Sequence, residues 1–112
     1  METDNKAGVP TIFFYEFIGT AFLMYAQMLS GGVTESLLTL QSSLNFVMLV
    51  LAWNISGGHF NPAISIGMCI ATKKIGAHAK TLLVELVAQF LGGMFGLCLG
   101  FLSILDIKYM ND

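Results

Sequence analysis

The sequence predicts an all-α integral membrane protein with three transmembrane helices and one re-entrant half-helix. Of its 112 residues, 55% are hydrophobic and 11% are charged, and the mean hydropathy is +0.75, which is typical of a membrane protein. Three apolar stretches are long enough to cross a bilayer, and a fourth is too short to do so. We interpret residues 1–112 as a single membrane domain.

The first span is predicted over residues 9–29, and it ends where Ser30-Gly31-Gly32 interrupts the apolar run. The second span is predicted over residues 37–55. The third, over residues 79–105, is longer than a bilayer requires, so we expect it to tilt. Residues 1–8 are not basic, and we therefore expect no signal peptide.

Residues 61–71 are predicted to form a short helix that begins at membrane depth. Asn61 is a favoured N-cap, because its side-chain oxygen accepts an unpaired backbone N–H, and Pro62 suits the first helical position. The apolar run from Ala63 to Ala71 is about 13 Å long, too short to span a bilayer. Its N-terminus, the positive end of its dipole, therefore points into the membrane interior. Such an element is stable only where protein buries it or where it lines a watery cavity.

Four of the polar side chains inside the predicted spans are candidates for a functional role. Glu16 and Glu85 either hydrogen-bond unpaired N–H groups or take part in transport, and we favour the structural role for both. Gln41 and Asn45 are one helical turn apart in the second span. They either face a polar pathway or hydrogen-bond neighbouring helices, and their spacing does not separate these alternatives.

Small residues recur every four positions in the third span, at Ala88, Gly92, Gly96 and Gly100. This pattern predicts close packing against another helix, in this chain or in a different one. The two cysteines, Cys69 and Cys98, both lie in apolar segments, and we expect them to be buried structural thiols.

The lysines predict the orientation of the chain. Three spans place the N-terminus and the loop 72–80 on one side, and that side carries four of the five lysines: Lys6, Lys73, Lys74 and Lys80. The other side carries only Lys108. The positive-inside rule therefore places the N-terminus on the cytoplasmic side, or on the matrix side in a mitochondrion.

The sequence predicts neither an enzyme nor a metal or cofactor site, since it shows no nucleophile–base pair, metal-ligand spacing or phosphate loop. A net charge of −2 also gives no reason to expect a nucleic-acid partner. We expect His59, in the turn before the half-helix, to hydrogen-bond the loop backbone rather than to bind a metal.

Three segments resemble the first half of an aquaporin, a member of the major intrinsic protein family. They are Glu16-Phe17-Ile18-Gly19-Thr20, Ser56-Gly57-Gly58-His59-Phe60-Asn61-Pro62-Ala63, and Ala88-Gln89 with Gly92-Gly93. Their order and spacing agree with the family over nearly the whole chain. The resemblance implies half of a fold with six spans and two half-helices, built from two inverted repeats whose half-helices meet at the pore centre.

The resemblance also implies roles for individual residues. Asn61 is implied to donate a hydrogen bond to a passing solute, and Pro62 and Ala63 to shape the contact between the two half-helices. The loop is implied to be supported by four residues: Glu16, Ser56, Gly57 and His59.

The chain departs from the family pattern in several places. It contains one Asn-Pro-Ala sequence and no arginine, so the arginine of the family's pore filter is missing. Gln41 falls where the family usually has an aromatic filter residue, and Glu85 falls where an aromatic residue is common. Trp53 replaces a residue that is usually small.

These departures lead to two hypotheses. The first is a truncated half-channel that serves as a structural or accessory subunit of a larger membrane complex, with its glycine face packed against other transmembrane subunits. The alternative is one half of a passive channel for water or small neutral solutes, completed by a second chain. In both, the lipid bilayer surrounds the chain, and we favour the structural subunit.

Overall fold

A computed structural model of the chain describes residues 7–31, 35–73 and 75–112, and all regular structure within these ranges is helical. The four helices are α1 (Val9–Leu29), α2 (Glu35–Ala52), α3 (Pro62–Ala71) and α4 (Ile75–Met110). Helices α1, α2 and α4 are long and apolar enough to cross a membrane, whereas α3 has only 10 residues. The predicted fold class is therefore confirmed: three transmembrane helices and one half-helix.

The ends of two helices differ from the predicted spans. Helix α2 ends at Ala52 rather than at residue 55, because the N–H groups of Ile55, Ser56 and Gly57 all turn back to the Ala52 carbonyl. Helix α4 continues beyond both ends of the predicted span 79–105, since its polar ends contain no residue that stops a helix. At its 36 residues it is about 54 Å long, more than a bilayer requires.

Helices α1 and α4 form the main helix pair, and they run parallel to each other. Gly92 lies against Phe17 and Gly96 against Ala21, so closely that a Cβ atom at either glycine would overlap a carbonyl oxygen of α1. Ala88, one turn earlier, is completely buried. The small-residue stripe of α4 thus packs against a helix of the same chain, which settles the question that the sequence left open.

The loop between α2 and α3 turns sharply before the half-helix begins. Gly57 and Gly58 have φ values of 91° and 61°, in the left-handed region that side chains disfavour. Phe60 also has a positive φ, of 52°, and its ring lies directly against Gly19 of α1, where a Cβ atom would overlap it. Positions 57 and 58 of the loop therefore favour glycine, and the last turn of the loop is anchored on α1.

Helix α3 packs against α4 through one side only. Its buried residues are Ser65 and Cys69, one turn apart, whereas Ile64, Met68 and Ile70 are exposed. The prediction for Cys69 is confirmed, but the prediction for Cys98 is wrong. Cys98 is exposed because it lies off the glycine stripe that faces α1.

Helix α2 contacts α1 but is otherwise exposed, since only 6% of its apolar 18-residue stretch is buried. Its exposed side chains include large apolar groups such as Phe46, Val50 and Leu51. In a multi-pass membrane protein these groups contact lipid or other membrane helices. Lys6 and Lys74, which contributed to the predicted orientation, lie outside the described residues.

Substitution of Gly96 by leucine tests the close packing of α1 and α4. We expect Gly96→Leu to lower the free energy of unfolding by about 2–3 kcal/mol, because the new side chain overlaps the α1 backbone. Gly76→Leu is the matched control on the same helix, since a Cβ atom there meets nothing within 4 Å. Unfolding of the purified chain in mixed micelles, followed by circular dichroism, measures both. Equal stability of the two variants would contradict this packing.

Candidate functional site

The loop before the half-helix is organised around the carboxylate of Glu16. This side chain projects from α1 and is completely buried. Ser56 Oγ and the His59 N–H donate to its Oε1 at 2.6 and 3.2 Å, and the Phe60 N–H and Gln89 Nε2 donate to its Oε2 at 2.8 and 2.9 Å. A carboxylate accepts about four hydrogen bonds, so every acceptor position of Glu16 is occupied.

Two of these donors are backbone groups that have no partner in a helix. The loop at residues 57–61 is irregular, and unpaired N–H groups at membrane depth are costly. Glu16 accepts from two of them, and it holds Phe60 in a conformation that costs about 1–3 kcal/mol. The Ser56 hydroxyl also accepts from the Gly58 N–H, at 3.2 Å. The carboxylate thus fixes the shape of the turn.

A second cluster of polar side chains connects the loop to the half-helix and to α4. His59 Nδ1 lies 2.9 Å from Glu85 Oε2 and 3.1 Å from Ser65 Oγ. Gln89 Nε2 donates to the same Ser65 Oγ at 2.8 Å. Because a carboxylate only accepts, Nδ1 carries the proton when Glu85 is ionised. We expected His59 to bond the loop backbone, and instead its ring bonds two side chains.

His59 lies in the loop between α2 and α3, outside the spanning helices, and its side chain is 20% exposed. Its hydrogen bond to Glu85 raises the pKa of the imidazole above the ordinary value of 6.5. The charges of Glu85 and Glu16 act in the same direction, and burial opposes them. His59 therefore holds its second proton to a higher pH than a free histidine does.

Asn61 uses its side chain to begin the half-helix. Its backbone is extended, with φ −152° and ψ 125°, and its Oδ1 accepts the Ala63 N–H at 2.9 Å. Pro62 occupies the first helical position. Asn61 is exposed, and within the described ranges nothing accepts a hydrogen bond from its Nδ2. One amide donor is thus available to a solute at the positive end of a helix dipole.

The other two residues considered for a pathway lie apart from this loop. Gln41 lines an apolar cleft between α1 and α2, where its Oε1 lies 3.4 Å from Ser30 Oγ. Asn45 is exposed on α2. The structure therefore brings Glu16, Ser56, Gly57 and His59 together with Asn61-Pro62-Ala63, and it leaves Gln41 and Asn45 on a different helix.

Sequence analysis overlooked Ser65 as part of the site and did not pair Glu85 with His59. The available signals were positional: Ser65 is one turn after Asn61, and Gln89 is one turn after Glu85.

Gln89 Oε1 is buried and has no hydrogen-bond partner in the described part of the chain. Among the same residues, no group of three or more His, Cys, Asp or Glu side chains is placed to hold a metal ion.

The fold and the loop together define a class: helical multi-pass membrane proteins in which an asparagine-capped half-helix re-enters the membrane. Comparison with known proteins identifies the family within this class. The sequence profile of the family described as Major intrinsic protein matches residues 10–110, and the chain belongs to this family.

Three curated relatives illustrate the similarity. The chain is 35% identical to Aquaglycerol porin AQY3 of Saccharomyces cerevisiae over 95 residues, which cover 74% of this chain and 14% of the relative. It is 34% identical to Aquaporin Z of Brucella melitensis over 89 residues (70% and 38%), and 32% identical to Aquaporin-8 of Rattus norvegicus over 103 residues (86% and 38%). The chain thus spans well under half the length of each. No solved structure matches it.

Substitution of Glu16 by glutamine tests the organisation of the loop. Each carboxylate oxygen accepts from two donors, and an amide nitrogen in place of either oxygen cannot accept. Two donors therefore lose their partner, and we expect the free energy of unfolding to fall by about 2–4 kcal/mol. The matched control is Glu35→Gln at the exposed start of α2, with a loss of at most about 1 kcal/mol from the helix dipole. The same micelle unfolding assay measures both, and a tolerated Glu16→Gln would contradict this role.

Proposed function

We propose that this chain is one half of an aquaporin-type passive channel for water or small neutral solutes, completed by a second chain. The observation that carries the proposal is the exposed Asn61 amide, whose Nδ2 has no acceptor among the described residues. The loop behind it donates three hydrogen bonds to a buried carboxylate, which also accepts one from Gln89 of α4, so the position of this donor is fixed. Preorganised donors of this kind replace the hydrogen bonds that a solute loses on leaving water.

Electrostatics favour a neutral solute. Asn61 lies at the positive end of α3, and a helix dipole pointing into a narrow path disfavours cations and protons. The printed names of the relatives, two aquaporins and an aquaglycerol porin, support water and small polyols as the solute class. They also favour a channel over an enzyme.

A second half is part of the proposal because the half-helix α3 does not by itself enclose a path. The exposed amide of Asn61, at the positive end of α3, requires a covering partner or water within the membrane. A second identical copy would have to insert in the opposite orientation. Lys73 and Lys80 lie at one end of the bundle and Lys108 at the other, and this bias supports one fixed orientation with the N-terminus on the cytoplasmic or matrix side. We therefore favour an unlike partner.

A structural or accessory subunit of a larger membrane complex is the second candidate. Gln41 supports it, because the side chain at the family's filter position lies against Ser30, in the contact between α1 and α2. The glycine stripe of α4 does not support this candidate. It packs against α1 of the same chain, so it is not free to pack against another subunit. A photoreactive residue at the exposed Ala63 would capture the partner in native membranes. A captured chain with its own half-helix supports the channel, and one without it supports the structural subunit.

Osmotic shrinkage of vesicles that contain the captured assembly tests conduction. We expect Asn61→Ser to lower water permeability about 5–10-fold, because serine keeps the helix cap but removes the amide donor. Asn54→Ala, an exposed amide in the same loop, is the control and should conduct like the unmodified chain. Permeability equal to that of empty vesicles, with insertion verified, would exclude the channel.

A further inference from the structure

The pair formed by His59 and Glu85 has no part in the proposed path for solutes. Glu85 is 7% exposed on α4, and its Oε2 lies 2.9 Å from Nδ1 of His59. His59 precedes Asn61 by two residues, and the same Nδ1 lies 3.1 Å from the hydroxyl of Ser65 on the half-helix. Three parts of the structure, the loop, α3 and α4, thus meet at one ring nitrogen.

We propose that His59 and Glu85 form a proton-binding site that holds the half-helix against α4 while the proton is bound. A protonated imidazole donates to the carboxylate through a charge-assisted hydrogen bond, which is shorter and about twice as strong as a neutral one. Loss of the proton leaves a neutral ring against the carboxylate, and the link between the loop and α4 weakens. This inference does not rest on conduction.

The groups around His59 favour its charged form. Helix α4 presents the Glu85 carboxylate and the neutral Gln89, and α3 presents the neutral Ser65. Helix α1 presents Glu16, whose charge also favours the imidazolium. Helix α2 presents no titratable side chain to the ring, and no lysine contacts the pair within the described residues.

The two carboxylates differ in how firmly they are held. Glu16 accepts four hydrogen bonds, two of them from the backbone, and none of the four comes from the imidazole ring of His59. Glu85 accepts one, from His59 alone among the described residues. The loss of a single proton therefore changes the one hydrogen bond that Glu85 makes within the described ranges.

The direction of the pH effect follows from the raised pKa of His59. The contribution of the pair to stability is fully present below 6.5, the ordinary value for histidine, and it declines as the pH rises through the higher value in the folded chain. The half-helix is thus held firmly in mildly acidic solution and more loosely in alkaline solution.

Cys69 is a native probe of this contact. It is buried on α3, one turn after Ser65 on the side that packs against α4, so a reagent reaches it only when the half-helix separates. Changing the exposed Cys98 to serine leaves Cys69 as the single thiol. The full chain in detergent micelles is labelled with a water-soluble maleimide from about pH 5 to about pH 9. Each rate is divided by that of the denatured chain at the same pH, which removes the titration of the thiol.

We expect the normalised rate to rise about tenfold as the pH increases through the titration of His59. Glu85→Gln should label rapidly at every pH, and Glu35→Gln, at the start of α2, should keep the profile of the unmodified chain. A rate that does not change with pH in the unmodified chain would overturn the proposal. A Glu85→Gln profile that keeps the step would also overturn it.

A second measurement needs no change at the site. Imidazole nitrogen resonances of the folded chain report the titration of His59 directly, and His78→Gln, a change at an exposed position, assigns the remaining histidine. The proposal requires His59 to titrate above 6.5 and the Cys69 rate to follow the same curve. Titration at or below that value would overturn it, even if Glu85→Gln did not fold. Neither measurement depends on permeability, so failure here is distinguishable from failure of the proposed channel.

Discussion

The buried carboxylate of Glu16 is the interaction on which the rest of the structure depends. An irregular loop at membrane depth has donors that no helix satisfies, and a single side chain from α1 accepts two of them together with Ser56 and Gln89. Gln89 reaches Glu16 only because α1 and α4 are in close contact. Gly92, three residues after Gln89, makes this approach possible by packing against the carbonyl of Phe17. The small residues of α4 therefore set the geometry of the loop as well as the packing of the two helices.

The oxygen and the nitrogen of the Asn61 side-chain amide have different roles at the start of the half-helix. Oδ1 of Asn61 accepts the Ala63 N–H and begins the helix, and Nδ2 has no acceptor among the described residues. Serine and aspartate are also good N-caps, but neither offers a side-chain N–H beyond the cap. Asparagine is thus the residue that satisfies the helix and still presents a neutral donor at its positive end. This combination explains why a helix start at membrane depth is informative about function, whereas the same residues at a surface would indicate only a cap.

Local signals predicted the elements of the fold, and long-range contacts limited the rest. The span 9–29 and the start of α3 were predictable, because hydropathy, the N-cap and proline act over a few residues. Helix α4 exceeds its predicted bounds because hydropathy falls at the membrane surface while the backbone hydrogen bonds continue. The partner of His59 was missed because Glu85 is 26 residues away and on another helix. In the same way, the sequence showed the glycine stripe but not the helix that it faces.

The two buried carboxylates show how one residue type serves two purposes in the same fold. The strength with which a carboxylate is held depends on the number and kind of its donors. When the carboxylate moves or becomes neutral, each of these hydrogen bonds is broken or weakened. Glu16 has four donors, three from the loop and one from α4, so any change there affects the whole loop. Glu85 has one donor in the part of the chain that the structure describes, and that donor is itself titratable. A chain that keeps a saturated carboxylate beside a singly bonded one therefore has a rigid turn and an adjustable contact next to each other, at the start of the same half-helix.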